Sequence, residues 1–211
     1  MQRRVFLQFL TIVGLAGACA RRKAPAPLSS GATVIAFGDS VTYGLGADRG
    51  QDWPSLLAGQ TGWNVINAGV SGDTTETALP RIPSLMEMYK PELVILELGG
   101  NDFLNRRPPK TVKENLRAIV KRFRRYDANV PIAIVAIPEL SLIGALTMNL
   151  SDSPIYAELA KEENLWLIDK VFSEVLSNAT LRADQIHPNA KGYRQMAIQI
   201  GETFRKSGFL R

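Results

Sequence analysis

From Ala32 onward, short apolar runs rich in β-branched residues alternate with longer segments in which apolar positions recur every three or four residues. The first pattern suits strands and the second amphipathic helices, and their alternation is what a parallel sheet with crossover helices requires. Strands are expected at Thr33–Phe37, Trp63–Asn67, Leu93–Leu98, Ile132–Ile137 and Leu165–Ile168, each bounded by Gly, Pro or polar residues. Helices are expected at Trp53–Gly59, Thr75–Tyr89, Thr111–Tyr126, Pro154–Glu163 and Asn189–Lys206. In the third of these, Val112, Leu116, Ile119, Val120 and Phe123 fall on one face, which should cover the sheet. The pattern predicts an α/β fold: a three-layer α/β/α sandwich around a five-stranded parallel, flavodoxin-like sheet.

The first 31 residues follow a different pattern. Val5 to Ala18 is apolar except for Gln8 and Thr11, and it follows the basic pair Arg3-Arg4. A stretch this long falls short of the ~20 residues needed to cross a bilayer, so residues 1–20 read as an export signal, with the arginine pair resembling a twin-arginine type. The single cysteine, Cys19, rules out an internal disulfide. The string Leu15-Ala16-Gly17-Ala18-Cys19 resembles a lipoprotein signal with one residue too many. It leaves two outcomes open: lipidation at Cys19, giving a membrane-tethered protein, or cleavage after Ala18 or Ala20, giving a freely soluble one. Residues 21–31, rich in Pro, Ala and Ser, form a linker, and residues 32–211 form the single domain. The expected location is outside the cytoplasm, periplasmic or extracellular.

Composition narrows the function classes. With 45% hydrophobic and 21% charged residues, the chain is neither disordered nor a coiled coil. The net charge of +5 lies entirely in Arg3, Arg4, Arg21, Arg22 and Lys23, which leaves 20 basic and 20 acidic side chains in the rest. A neutral domain argues against a nucleic-acid partner. One basic run, Arg106 to Arg125, places Lys113, Arg117, Lys121 and Arg124 on one helix face. That face reads either as a solvated surface or as an attraction to an anionic membrane. The apolar segment Leu140–Leu150, with Leu146 and Met148, reads either as an acyl-pocket wall or as a buried connection. With one histidine and no domain cysteine, the usual His/Cys zinc spacings are ruled out. Neither a GxGxxG nor a GxxxxGK[ST] string occurs, so neither a cofactor nor a metal is expected.

Chemistry should lie just beyond the carboxyl ends of the strands. Three such ends carry Gly38-Asp39-Ser40, Asn67-Ala68-Gly69 with Ser71-Gly72-Asp73-Thr74 behind it, and Gly99-Gly100-Asn101-Asp102; a fourth polar cluster, Asp184 to Asn189, precedes the last helix. Taken singly, each reads as a turn or helix cap. A serine nucleophile needs a base within hydrogen-bond reach. His187 is the only histidine, and Asp184, three residues earlier, can hold the ring nitrogen that faces away from the serine.

The four blocks in this order resemble the SGNH, or GDSL, family of esterases and lipases, in its bacterial thioesterase I, lysophospholipase and arylesterase branch. The likeness spans about residues 32 to 206 and extends to Asp52-Trp53-Pro54, Leu96 to Asp102, and Ile186 to Asn189; Val41 departs from the leucine in the motif's name. The resemblance implies Ser40 as nucleophile, with His187 and Asp184 completing the catalytic triad. It implies an oxyanion hole made by the Ser40 N–H, the Gly69 N–H and the Asn101 side-chain amide. It further implies small-molecule ester or lipid substrates: aryl esters, short to medium acyl esters, thioesters or lysophospholipids. Deacetylation of carbohydrate esters is the alternative within that chemistry, and a non-catalytic surface lipoprotein is the alternative outside it.

Overall fold

The computed structural model describes residues 25–140 and 150–211. The expected export signal, Cys19, the first linker residues and the stretch containing Leu146 and Met148 lie outside them. Five strands, β1 (Thr33–Gly38), β2 (Asn64–Gly69), β3 (Leu93–Glu97), β4 (Ile132–Val135) and β5 (Trp166–Ile168), form one parallel sheet in the order β2-β1-β3-β4-β5. The expected five-stranded architecture is thus present. Register pairs Gly38 of β1 with Gly69 of β2 on one side and with Glu97 of β3 on the other. The polar turns after these three strands therefore emerge side by side at the carboxyl ends of the strands.

The helices are α1 (Ser40–Tyr43), α2 (Trp53–Thr61), α3 (Ile82–Tyr89), α4 (Gly100–Leu104), α5 (Pro109–Tyr126), α6 (Pro154–Glu162), α7 (Val171–Ser177) and α8 (Ala190–Ser207). Helix α5 lies between α3 and α6, and α8 between α2 and α7, giving two helical layers around the sheet. The central strands are apolar because both layers cover them: Val34 to Phe37 and Leu93 to Leu96 are all fully buried. The α5 stripe Val112, Leu116, Ile119, Val120 and Phe123 is buried as expected, and Phe123 meets Phe37 edge to face at 5.2 Å. Burying each such large side chain contributes about 1.5–3 kcal/mol. On the other layer, Trp63 packs against Phe204 of α8 at 5.4 Å, and the strand expected to open on it opens one residue later, at Asn64.

The start of the second expected helix changes as well. The helix expected from Thr75 begins only at Ile82, after a 3-10 turn at Leu79–Arg81. Pro80 and Pro83 each start a new helical turn there, since proline fits the first turn of a helix and breaks its interior. Thr75 is held by Asp102, whose carboxylate accepts from its N–H at 2.8 Å and its hydroxyl at 2.7 Å. The basic face of α5 is also not bare. Lys113 pairs with Glu158 and Glu162 of α6 at 2.7 Å each, and Arg117 and Arg124 pair with Glu163 at 3.1 and 3.3 Å. Three of the four cations on this face thus join two crossover helices. Among the described residues, no helix is long and apolar enough to cross a membrane.

Candidate active site

Strand β1 ends at Gly38, and the chain turns at once into α1. Asp39 caps that helix by accepting the Val41 N–H at 3.0 Å, which puts Ser40 at the first helical position. The N–H of a first helical residue has no acceptor within its own helix, so it is free to face a ligand. The Ser40 Oγ lies 3.0 Å from Nε2 of His187. His187 sits in the loop before α8, which is closed by an antiparallel bridge between Arg182 and Pro188 and by a hydrogen bond from the Ala183 N–H to the His187 carbonyl. Asn189 then caps α8 by accepting the Lys191 and Gly192 N–H groups.

Asp184 shapes this loop. Its Oδ1 accepts from the N–H groups of Ile186 and His187, and its Oδ2 lies 2.8 Å from His187 Nδ1. Partial burial raises the carboxyl pKa, but the two backbone donors and the imidazole outweigh it and hold Asp184 below its ordinary range. Ser40, His187 and Asp184 are therefore brought together as one chain of hydrogen bonds, on segments more than 140 residues apart in sequence.

Asn101, on the short helix α4, lines the same small cavity as Ser40 and His187. Its Nδ2 donates to the Asp73 carbonyl at 2.9 Å and approaches Asp39 Oδ2 at 3.4 Å. This ties the third strand-end turn to the second. Apolar Val41, Leu104, Leu140, Phe172 and Ile186 line it too, with Asp39, Glu97 and Gly100.

Gly69 has a different place from the one expected. Its N–H donates to Asn67 Oδ1 at 3.0 Å, and a Cβ there would come within 2.2 Å of the Tyr43 nitrogen. It is a close-packing glycine whose donor is already engaged. Gly72, three residues on, is exposed at φ +85° in a turn closed by a hydrogen bond from the Asp73 N–H to the Val70 carbonyl. Its own N–H has no acceptor among the described residues. The signal for it was present in Ser71-Gly72-Asp73-Thr74, where glycine precedes the residue whose carbonyl Asn101 grips.

Behind the serine, Asp39 is almost fully buried. Burial, partly offset by the Val41 N–H, and the neighbouring Asp73 and Asp102 charges push its pKa up to about 7. Between the ordinary carboxylate range and pH 7 the folded state therefore binds a proton that the unfolded chain releases, so this group's contribution to stability falls as pH rises through that window. Asp39→Asn, which keeps an oxygen for the Val41 N–H, is expected to raise Tm at pH 7.5 but not at pH 4. Each kcal/mol gained corresponds to roughly 2–4 °C. Melting curves at the two pH values check this, and an equal shift at both would contradict it. Among the described residues, no group of three or more His, Cys, Asp or Glu side chains is arranged to hold a metal ion.

Comparison with known proteins yields one family match: residues 36–195 fit the GDSL-like lipase/acylhydrolase family. Thioesterase 1/protease 1/lysophospholipase L1 of Escherichia coli (strain K12) is 33% identical over 160 residues, covering 74% of this chain and 76% of that protein. The arylesterase of Vibrio mimicus is 32% identical over 182 residues, covering 82% and 88%. Among solved structures, the psychrotrophic esterase EstA from Pseudoalteromonas sp., inhibited by monoethylphosphonate, superimposes with a TM-score of 0.69 at 27% identity, covering 82% of this chain and 97% of that one.

Proposed function

The chain belongs to the GDSL-like lipase/acylhydrolase family, and from that premise we propose that this carboxylic ester hydrolase works through an acyl intermediate on Ser40. The observation that carries the reading is the 3.0 Å contact between Ser40 Oγ and His187 Nε2, with Asp184 at 2.8 Å behind the ring. As Oγ attacks the ester carbonyl carbon, its proton passes to Nε2, and Asp184 stabilises the imidazolium. The oxyanion so formed is held by the Ser40 N–H, the Asn101 Nδ2 and, in place of Gly69, the Gly72 N–H. Removing one such donor typically costs about 3–4 kcal/mol of transition-state stabilisation. Collapse of the intermediate expels the alcohol or thiol, which takes the proton back from His187. Water, giving its proton to the same nitrogen, then releases the acid and restores Ser40.

The substrates are esters of short to medium acyl chains, aryl esters and lysophospholipids. Support comes from the apolar lining at Ser40 and from relatives named arylesterase and lysophospholipase. The apolar head ending at Cys19 supports export, with lipidation at that cysteine as the tether. A fluorophosphonate is expected to label the purified protein once per chain, at Ser40 by peptide mass mapping. Hydrolysis of p-nitrophenyl esters from acetate to palmitate should peak at short to medium length. A folded protein that takes no label would sink the acyl-serine reading.

A further inference from the structure

Four acidic side chains lie behind the nucleophile turn: Asp39, Asp73, Glu97 and Asp102, all buried. Two of them face a guanidinium, with Arg81 Nε 2.8 Å from Asp73 and Arg107 Nε 3.3 Å from Asp102. Asp39 and Glu97 have no cation partner among the described residues. Sheet register makes them neighbours, because Glu97 ends β3 opposite Gly38, the residue before Asp39. Both line the cavity at Ser40.

Glu97 is completely buried, and its two oxygens differ. Oε2 accepts from the Thr42 hydroxyl at 2.7 Å, whereas Oε1 has no hydrogen-bond partner. The two acids thus grip consecutive residues of one turn: Asp39 takes the Val41 N–H, and Glu97 takes Thr42. The Ser40 N–H is left for the oxyanion. Holding this turn with two carboxylates would put two uncompensated charges beneath the site where the transition state develops a negative one. Buried like charges do not both ionise, and a preorganised site needs dipoles, not repulsion, aimed at the oxyanion.

We propose that Glu97 is a positioning residue that keeps its proton at neutral pH, anchoring Thr42 and the Ser40 turn as a neutral acid. A protonated carboxyl keeps a hydrogen bond to Thr42 while adding no charge under the oxyanion hole. Burial and the Asp39 charge push Glu97 well above the ordinary carboxylate range, and the Thr42 contacts oppose this more weakly. The other titratable groups near the pair are engaged elsewhere among the described residues: Arg81 donates to Asp73 and to the Gly38 carbonyl, His187 is held between Ser40 and Asp184, the Tyr156 hydroxyl donates to the Leu98 carbonyl and the Tyr193 hydroxyl to the Leu45 carbonyl.

The inference rests on Ser40 as nucleophile for its meaning, but its first test does not. An infrared difference spectrum of wild type minus Glu97→Gln at neutral pH is expected to show the C=O stretch of a protonated carboxyl group. A difference showing only carboxylate bands would overturn the proposal whatever the protein hydrolyses. The second test is kinetic. Glu97→Gln keeps the anchor without the charge and should hold kcat within a few-fold of wild type. Glu97→Met, similar in size but unable to grip Thr42, should lower kcat by about 10–100-fold with little change in KM, the scale expected when a reacting atom is displaced by about 1 Å. Circular dichroism shows whether each variant is folded. A glutamine variant as impaired as the methionine one, or a folded methionine variant with full kcat, would overturn the positioning role. If the methionine variant does not fold, the infrared band still decides whether Glu97 carries a proton.

Discussion

Ser40→Ala is expected to lower kcat for ester hydrolysis by roughly 10⁶-fold, the scale seen when the nucleophile of a serine hydrolase is removed, and to abolish phosphonate labelling. The fold should survive, because among the described residues the only side-chain bond Ser40 makes is to His187, and Asp39, Thr42 and Glu97 hold the turn without it. KM should change little, since the backbone N–H of residue 40 and the Asn101 amide remain to bind the carbonyl. The residual rate is informative. An oxyanion hole without its nucleophile still accelerates hydrolysis by about 10³–10⁴ over water, so a small serine-independent activity is expected. Rates measured with a p-nitrophenyl ester, beside the wild type and with Tm confirming the fold, provide the check. A folded alanine variant within tenfold of wild-type kcat would mean that His187 activates water directly or that the nucleophile lies elsewhere.

Much of this site could be read from sequence because the fold puts chemistry at strand ends. β1 and β3 are covered on both faces and so carry the apolar runs Val34–Phe37 and Leu93–Leu96, and the Gly-rich turns after them stand out by contrast. His187 needed no competition, being the only histidine. What sequence did not show depends on contacts between distant segments. That the Gly69 N–H is already engaged turns on the Asn67 side chain, which accepts from it while donating its own amide to the Thr42 carbonyl and to Asp52. The start of α3 is set partly by Asp102, which holds Thr75 out of a helix from 27 residues away. The basic stripe on α5 looked free because Glu158, Glu162 and Glu163 lie about 45 residues downstream. Helices α1 and α4 have four and five residues, too short for any apolar period to register. The pairing of Glu97 with Asp39 was equally hidden, because a glutamate at the end of an apolar strand shows its neighbours only once β1 lies beside β3.

The second large effect is expected at Asp184. Asparagine at this position keeps an oxygen for the Ile186 and His187 N–H groups, so the loop that carries the histidine should hold its shape. What changes is the atom facing His187 Nδ1, where the carboxylate oxygen now sits at 2.8 Å. A carboxylate there can only accept, so Nδ1 carries the proton and Nε2 is left free to take one from Ser40. If the amide nitrogen faces the ring instead, it can only donate. Nδ1 becomes the acceptor, the proton moves to Nε2, and the base points its occupied nitrogen at the nucleophile. Asp184→Asn should therefore reduce kcat by roughly 10⁴-fold, with little change in KM. The same variant also bears on stability. Because the folded-state pKa of Asp184 is lowered, the carboxylate contributes stability that is present above its unfolded pKa and lost as pH falls through the folded one. The variant's Tm deficit should accordingly be seen at neutral pH and shrink in acid. Paired measurements of kcat and Tm separate the two effects, since a merely structural role would move both together. A loss in kcat below about tenfold would mean that the half-exposed carboxylate shapes the loop without setting the tautomer, and the proton path through His187 would then need another orienting group.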